Sequence, residues 1–296
     1  MDIEGTSTIT VIKRGRAFTD EHHIPPTDTS RKFTEESSLR IKEKNRDLHK
    51  GQRKLFVSLL LFLNKMYEPL KHPKPLLVYV GSGHAIGTSV IHNWFPLMEF
   101  HLFDPEVSPT DISFLRSDRV TFSKRCFTEE DVEKYMKLQG ERQIFLVSDI
   151  RSLSHGVGEE SEESVTKDME AQRMWVEMIK PTAFQLKFRA PFDTEASLQR
   201  FGGPTFRYLD GHLALQAWAP AASAELRLIG SEIGEKVYNF VDICSMMCGH
   251  NERRTLQMFG NMGFDEAQTK HIVEEYAKKC NCDDLIPSLL KEVASL

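Results

Sequence analysis

Short apolar runs alternate with stretches of helical periodicity through the middle of this chain. The runs are rich in β-forming residues and carry few polar side chains, which is typical of strands buried on both faces of a parallel sheet. They comprise residues 76–80, 100–103, 120–122, 143–149 and 183–188. Between the last two runs, apolar residues recur at helical spacing from Val165 to Ile179. The pattern predicts an α/β fold with helices packed on a mostly parallel sheet.

Other parts of the same pattern predict further elements. Residues 55–66 are predicted to form an apolar core helix, which is too short to cross a bilayer. Runs at 205–209 and 212–218 flank Asp210-Gly211, a combination that predicts a β-hairpin. Residues 223–229 predict one more short strand.

Glycines cluster where the first predicted strand ends. Gly81, Gly83 and Gly87 follow that strand, and Asp104 ends the next apolar run. A tight turn and the close approach of a backbone to a ligand both need residues without a Cβ. A carboxylate about 20 residues further on holds ribose hydroxyls in βαβ nucleotide sites. We expect a site for an adenosine-containing cofactor; the alternative is a turn with only a structural role.

The kind of cofactor is narrowed by what the glycine segment lacks. Its third glycine stands one place too late for the dinucleotide fingerprint, and the chain has no G-K-[ST] of a P-loop there. A cofactor without phosphates, such as S-adenosylmethionine, tolerates a looser loop. The segment therefore favours S-adenosylmethionine over a dinucleotide or a nucleoside triphosphate.

Composition narrows the class of protein. The 296 residues are 40% hydrophobic, enough for one large α/β domain with a small extension, and the net charge of -5 does not indicate nucleic-acid binding. Residues 31–54, however, contain nine Lys or Arg and four Asp or Glu, which fits either a solvated helix face or an RNA-facing stripe. Five cysteines without paired spacing and no apolar run of bilayer length predict an intracellular protein that does not span a membrane.

Four ionisable residues stand within or beside apolar segments: Lys54, Asp149, Lys187 and Glu225. Three of them are predicted to lie on strands near the C-terminal ends, where open α/β sheets place their active sites. A salt bridge at a strand edge explains any one of them alone. Together, two lysines and two carboxylates in one pocket would shift one another's pKa values, and a desolvated amine can accept the proton of a sugar hydroxyl.

The order Lys-Asp-Lys-Glu resembles the tetrad of ribose 2′-O-methyltransferases. The surrounding segments resemble a poxvirus family of cap-specific mRNA 2′-O-methyltransferases, whose members also serve as the small subunit of the viral poly(A) polymerase. This resemblance covers about residues 33–240. The similar segments are residues 51–54, 78–82, 87–88, 147–152, 186–192 and 219–228.

The resemblance implies a Rossmann-like sheet with an antiparallel final strand, flanking helices and S-adenosylmethionine as methyl donor. Lys187 would contact the target 2′-hydroxyl, with Lys54 and Glu225 supporting its charge state and Asp149 near the sulfonium. Asp104 would hold the ribose hydroxyls. The implied cofactor-binding residues are Gln52, Tyr79, Gly81, Ser82, Gly87, Asp104, Phe127 on the adenine, and Asp149.

The resemblance also implies a capped mRNA substrate in the host cytoplasm, with the virion as an alternative location. Phe33 and Phe192 would sandwich the methylated cap guanine, because a cationic purine between two rings gains cation–π energy. Arg151 and Arg189 would hold backbone phosphates. A poly(A) polymerase catalytic subunit is a further candidate partner. The alternatives are a non-catalytic, RNA-binding stimulatory subunit of that polymerase and a 2′-O-methyltransferase that ignores the cap.

The expected division is an N-terminal arm (1–32), a methyltransferase domain (33–249) and a small helical tail (250–296). The tail, with its sequence Met262-Gly-Phe264, resembles a ubiquitin-associated domain, so that either ubiquitin binding or a plain packing role is open. Its cysteines and His250 do not match the spacing of a common zinc site, and we expect no metal there.

Overall fold

The computed structural model describes residues 17–27, 29, 48–152, 162–220, 222–254 and 256–296. Phe33 and most of the basic stretch 31–54 lie outside the described residues, as does most of the predicted arm 1–32.

A seven-stranded sheet forms the centre of the molecule, in the order β3-β2-β1-β4-β5-β8-β7. Strands β1 to β5 are parallel, whereas β8 runs antiparallel to both β5 and β7. This arrangement confirms the predicted Rossmann-like sheet with an antiparallel strand. The strands are β1 Pro75–Val80, β2 Glu99–Phe103, β3 Val120–Ser123, β4 Gln143–Ser148, β5 Ala183–Phe188, β6 Thr205–Leu209, β7 His212–Ala214, β8 Leu226–Gly230, β9 Glu235–Asn239, β10 Met258–Phe259 and β11 Met262–Gly263.

Helices cover the sheet, and one of them begins earlier than expected. They are α1 Leu48–Met66, α2 Ile86–Trp94, α3 Ile112–Leu115, α4 Glu129–Leu138, α5 Glu162–Ile179, α6 Glu195–Phe201, α7 Phe240–Arg254, α8 Phe264–Cys280 and α9 Ile286–Ala294, with short 3-10 helices at Asp20–His23 and Asp283–Leu285. Helix α1 was expected from residue 55, after Lys54, but it already begins at Leu48. Lys54 is therefore held on a rigid helix.

Both faces of the sheet are buried, as its parallel pairing requires. On one face, Leu77 and Val147 share a core with the apolar side of α1. On the other face, Leu76 and Leu146 pack with Val176 of α5. The apolar runs of the sequence therefore correspond to strands without a solvated side.

The predicted hairpin around Asp210-Gly211 is wrong. Strand β6 pairs with β9 in a separate two-stranded sheet, whereas β7 pairs with β8 at the edge of the main sheet. A Cβ on Gly211 would lie 2.7 Å from the carbonyl oxygen of Ile229, so the chain crosses between the two sheets against the β8 backbone. Pairing with β8 and β9 satisfies more backbone groups than a two-residue turn would.

The C-terminal helices pack onto the sheet domain. Ile272 and Tyr276 of α8 belong to the same core as α1, and the Tyr276 hydroxyl donates a hydrogen bond to the carbonyl of Trp94. Phe264 is only 3% exposed, so its ring is not available to a partner at the surface. The division at residue 250 and the ubiquitin-associated resemblance of the tail stay predictions. Among the described helices, none is both long and apolar enough to cross a bilayer.

Candidate active site

Four predicted residues meet at the edge of the sheet where the parallel strands end. Asp149 directly follows β4, and Lys187 is the penultimate residue of β5. Glu225 was expected near the C-terminal end of a strand, but it directly precedes β8. Because β8 is antiparallel to β5, its beginning lies at that same edge. Lys54 reaches the edge from α1.

Side chains alternate between the two faces of a strand, and this alternation directs Lys187 and Arg227 toward α1. Successive residues of a strand point to opposite faces, so that Lys187 shares a face with Gln185, two residues earlier. Gln185 donates a hydrogen bond to the carbonyl of Ser58 on α1 (2.7 Å). In the register of β5 and β8, Lys187 stands directly opposite Arg227 and therefore points to the same face.

The lysines and carboxylates form a continuous network of ion pairs. Glu225 Oε1 lies 3.0 Å from Lys187 Nζ, and Glu225 Oε2 lies 3.4 Å from Lys54 Nζ. Asp149 Oδ1 lies 3.7 Å from Lys187 Nζ on its other side. Lys187 is thereby held between two carboxylates, and its side chain is 10% exposed.

Both carboxylates are ionised in spite of their burial. Burial would raise the pKa of Glu225, but the charges of Lys187 and Lys54 outweigh this effect and hold the pKa well below its usual range. Burial likewise opposes ionisation of Asp149, yet the charges of Arg227 and Lys187 lower its pKa. Paired charges thus replace the solvation that the sheet edge removes.

Two arginines complete the network, and sequence reasoning missed one of them. Arg227 NH1 lies 2.6 Å from Asp149 Oδ1, with its side chain 4% exposed. Arg151 NH2 lies 3.7 Å from Glu225 Oε1, and its NH1 lies 4.0 Å from a carboxylate oxygen of Asp168. An arginine inside the apolar run of β8 was the available signal for Arg227, because an isolated charge there needs a buried partner.

Two buried glutamines hydrogen-bond to the backbone of residues that belong to the ion-pair network. Gln172, which is fully buried on α5, donates a hydrogen bond to the carbonyl of Lys187 (3.0 Å). Gln216 donates to the carbonyl of Glu225 (3.1 Å). Gln172 occupies an apolar position in the helical repeat of α5, so sequence could have marked it as a polar residue with a structural partner.

The predicted cofactor segment forms a tight turn between β1 and α2. Gly81 (φ +77°) and Gly83 (φ +57°) both adopt left-handed conformations that favour glycine. A Cβ on Gly81 would lie 3.1 Å from the backbone of Asp149, so the turn runs directly against the end of β4. A Cβ on Gly87 would lie 2.9 Å from Cβ of Phe56, so this glycine lets α2 pack closely on α1.

Asp104 organises the loop opposite this turn. Its Oδ2 accepts a hydrogen bond from the Gly83 amide (2.8 Å), and its Oδ1 accepts from the amides of Glu106 and Val107. A carboxylate oxygen has two lone pairs, and among the described residues the Gly83 amide donates to one of those on Oδ2.

Three other predicted cofactor residues, Ser82, Gln52 and Tyr79, are buried. Ser82 is 1% exposed, and its hydroxyl has no hydrogen-bond partner among the described residues. Gln52 lies on α1 and is 7% exposed. Tyr79 is buried beside Asp149, and both its burial and that carboxylate raise the pKa of its hydroxyl. The unpartnered Ser82 hydroxyl is the polar atom that a ligand would satisfy.

Phe127 is buried more deeply than an exposed ring on which an adenine could stack. Its ring stacks on Tyr135 at 5.9 Å and meets Phe103 and Trp175 edge-on. It is 9% exposed and forms part of the core. The adenine contact of Phe127 stays a prediction.

The residues predicted to bind the cap guanine and the backbone phosphates pack against other side chains of the protein. The guanidinium of Arg189 lies 4.2 Å from the centre of the Phe192 ring, and its NH1 lies 2.6 Å from Glu162 Oε1. The side chains of Arg189 and Arg151 are 4% and 6% exposed, so neither presents an open phosphate-binding surface. Phe33 lies outside the described residues, and the pairing of Phe33 with Phe192 stays a prediction.

All five cysteines are free thiols, including Cys244 and Cys248, which precede His250 in the sequence. Burial raises the pKa of the Cys244 thiol to about 12, which keeps it protonated. Cys126 and Cys280 are exposed.

Comparison with known proteins links this site to one family. Residues 28–261 match the family model described as "Poly A polymerase regulatory subunit". The "Cap-specific mRNA (nucleoside-2'-O-)-methyltransferase" of Myxoma virus (strain Lausanne) is 28% identical over 194 residues, which cover 64% of this chain and 54% of that protein. The protein of the same name from Fowlpox virus (strain NVSL) is 28% identical over 185 residues, 60% of this chain and 57% of that protein. The matched region thus spans little more than half the length of these relatives.

Solved structures of methyltransferases are more distant. Human methyltransferase-like protein 13 in complex with SAH is 16% identical, with 75% of this chain and 96% of that chain covered at a TM-score of 0.36. A Burkholderia thailandensis 1,6-didemethyltoxoflavin-N1-methyltransferase with bound S-adenosylhomocysteine is 13% identical, with coverages of 64% and 82% at a TM-score of 0.35. At such scores, neither likeness bears on the function of this chain.

Proposed function

We propose, because this chain belongs to the poly(A) polymerase regulatory subunit family, that it transfers a methyl group from S-adenosylmethionine to an mRNA ribose 2′-hydroxyl. The substrate we propose is capped viral mRNA, methylated on its first transcribed nucleotide. The names of the two viral relatives support the choice of reaction.

One observation carries the proposal: Lys187 Nζ is held between Glu225 (3.0 Å) and Asp149 (3.7 Å) at the edge of the sheet next to the glycine turn. Open α/β sheets bind their ligands at this edge, beside the point where the strand order reverses. Here the order reverses between β1 and β4, and Asp149 directly follows β4. A positioned amine therefore lies beside the expected cofactor crevice.

The residues of the turn fit the proposed cofactor. Gly81 allows the backbone to approach a ligand, the buried Ser82 hydroxyl lacks a partner among the described residues, and the Asp104 carboxylate bonds the amide of Gly83 in the turn. Bound S-adenosylmethionine would supply a methyl group on a sulfonium, which is a good leaving group. Asp149, which lies near Tyr79, would provide negative charge for the sulfonium, and Gln52 and Tyr79 would supply uncharged polar contacts to the cofactor.

Lys187 is the residue we assign to the 2′-hydroxyl. During transfer the oxygen–methyl bond forms while the sulfur–methyl bond breaks, and the hydroxyl proton passes to a base. The network holds four cations against three carboxylates, Asp149, Glu225 and Asp168, so the loss of one lysine proton leaves it balanced. We assign the proton-accepting role to Lys187 for its position, because it lies between Glu225 and Asp149 at the edge where the parallel strands end.

A second candidate function is support of a poly(A) polymerase without catalysis. The family description names this role, and the basic stretch before Lys54 would serve RNA binding in either case. The complete ion-pair network favours catalysis, because an RNA-binding surface has no need of buried lysines. The two functions are also compatible in one protein.

The test is transfer of labelled methyl from S-adenosylmethionine to a short RNA with an unmethylated ribose next to its cap. An uncapped RNA of the same sequence accompanies it, and the wild type is compared with Lys187→Ala. Lys137→Ala serves as the matched control, since Lys137 is 79% exposed on α4 and pairs only with Glu133. We expect labelling of the capped RNA, unchanged in Lys137→Ala and reduced by about 10²- to 10⁴-fold in Lys187→Ala.

Each outcome separates the candidate functions. Equal labelling of both RNAs would retain the chemistry and reject cap recognition. RNA binding without any labelling by the wild type would reject the enzyme and favour the polymerase subunit. Cofactor binding, measured by calorimetry, should persist in Lys187→Ala, which distinguishes a lost reaction from a lost fold.

A further inference from the structure

Four side chains of metal-ligating type, none of them part of the proposed active site, converge where the short helix Asp20–His23 meets α8. They are Asp20, His23, His271 and Glu275. One donor atom from each side chain lies within 4.8 Å of the others. All four residues fall outside the region 28–261 that matches the family model, so family membership assigns them no role.

The arrangement follows from local geometry. His271 and Glu275 are four residues apart on α8, so their side chains share one face of the helix. His271 Nε2 lies 2.9 Å from Asp20 Oδ1 and 3.9 Å from Glu275 Oε1. The rings of His23 and His271 are 5.4 Å apart, and the ring of Phe18 contacts both.

His23 provides an independent sign that a ligand is missing from this cluster. It is 1% exposed, and its Nδ1 receives a hydrogen bond from Gln268 (2.8 Å). Its Nε2 has no partner among the described residues. A buried polar atom without a partner costs about 1–3 kcal/mol, so a ligand at this nitrogen would recover that energy.

A lysine lies in the same groove as the cluster. Lys65 lines this groove together with Asp20, His271 and Glu275, and it is exposed, so its ammonium group can turn toward solvent when another cation binds.

The cluster also has an entry path. An open groove of about 1260 Å³ runs beside it, with Asp20, Lys65, His271 and Glu275 among its lining residues. An ion can therefore reach the donor atoms from solvent without unfolding of the protein.

We propose that Asp20, His23, His271 and Glu275 bind a divalent first-row transition metal ion, of the zinc type, that fastens the N-terminal segment to α8. Two imidazole nitrogens and two carboxylate oxygens suit zinc and its neighbours, whereas calcium and magnesium prefer all-oxygen sites. Four protein ligands leave no open position, which marks a structural site rather than a catalytic one.

Binding requires only a small contraction of the cluster. Zinc bonds of about 2.0–2.2 Å place tetrahedral donors about 3.3 Å apart, compared with the present limit of 4.8 Å. Asp20 can supply this movement, because its side chain is 63% exposed. The Gln268 Oε1 atom has no partner among the described residues. Rotation of this amide would give up the bonds that its Nε2 donates to His23 and to the carbonyl of Leu215, and would offer Oε1 to Nδ1–H of His23, the contact that orients metal-bound histidines.

The test uses the full chain, stripped of metal with a chelator and then titrated with zinc and, separately, with cobalt. Asp20→Asn and Glu275→Gln remove one carboxylate ligand each, and the side chain of Asp20 is 63% exposed. Glu274→Gln is the matched control, since Glu274 lies next to Glu275 in the same groove and pairs with Lys270 instead.

We expect one zinc ion per chain, at least tenfold weaker binding in Asp20→Asn and Glu275→Gln, and less than a twofold change in Glu274→Gln. Zinc should raise the melting temperature of the wild type and of Glu274→Gln, but not of Glu275→Gln. Bound cobalt should show tetrahedral absorption without a sulfur charge-transfer band. No saturable binding at micromolar zinc, equal binding by all variants, or a sulfur band from the exposed Cys280 would each overturn the proposal.

Discussion

Two regions of the molecule each bring two carboxylates together: the sheet edge where the parallel strands end, and the junction where the helix Asp20–His23 meets α8. The negative charge is balanced differently in the two regions. At the sheet edge, Lys54, Lys187, Arg227 and Arg151 surround Asp149 and Glu225, and both carboxylates are ionised. At the junction, His23 and His271 accompany the carboxylates, and Lys65, which lines the same groove, is exposed. A site whose buried cations balance its carboxylates needs no ion from outside, whereas a site of imidazoles and carboxylates can recruit one.

The strongest test of this comparison removes a carboxylate from the balanced site. Asp149→Asn leaves the buried Arg227 guanidinium without its 2.6 Å partner. Breaking a buried ion pair from one side costs about 3–5 kcal/mol, so we expect the free energy of unfolding to fall by that amount. Denaturant titration measures it.

The matched control for that variant is Asp210→Asn. Asp210 pairs with Lys236 at 3.8 Å, and both side chains are more than half exposed. This surface pair should contribute less than about 1 kcal/mol. Equal losses in the two variants would show that the sheet-edge network does not stabilise the fold.

A second prediction concerns the close packing that holds the sheet-edge site together. Gly87→Ala places a methyl group 2.9 Å from Cβ of Phe56, which should push α2 from α1 and cost about 1–3 kcal/mol. Gly51→Ala is the control on α1, where nothing lies within 4 Å of the new methyl group. That substitution should instead stabilise the helix by about 0.5–1 kcal/mol. Unfolding curves of both variants that move in the same direction would contradict this account.

A third prediction asks how a buried imidazole behaves without a carboxylate beside it. Burial, followed by the charges of Arg254 and Arg253, lowers the pKa of His250 to about 3. Between about pH 6.5 and pH 3 the unfolded chain binds a proton at His250 that the folded chain excludes. Stability should therefore fall as the pH falls through this window, by up to about 1.4 kcal/mol per pH unit.

The comparison that isolates this contribution is His250→Phe, whose ring can keep the edge-on contact with Phe264. The difference in unfolding free energy between the variant and the wild type should grow in favour of the variant as the pH is lowered from 6.5. A difference that stays constant with pH would mean that His250 binds its proton equally well in the folded and the unfolded chain.

The smallest effect is expected at the junction, in protein kept free of metal. Glu275→Gln removes one of two competing carboxylates and leaves Asp20 on His271 at 2.9 Å. The free energy of unfolding should change by no more than about 0.5 kcal/mol, unlike the loss predicted for Asp149→Asn. A loss of several kcal/mol would show that the junction, too, depends on a balanced set of charges.

The sequence by itself determined the centre of this protein. Strands buried on both faces need continuous apolar runs, and each such run from residue 76 to residue 188 became a strand within one residue or two of its predicted bounds. The glycine turn and the order Lys54, Asp149, Lys187, Glu225 were also visible, because turns depend on local conformation and the four charges interrupt apolar segments.

Only the tertiary structure decided what depends on contacts distant in sequence. The partners of β6 and β7, the pairing of Arg227 with Asp149 and the packing of α8 on α1 follow from sheet register and core packing. Asp20 and His271 stand 251 residues apart and meet at 2.9 Å. No periodicity links such residues, since their proximity arises only when the whole core closes.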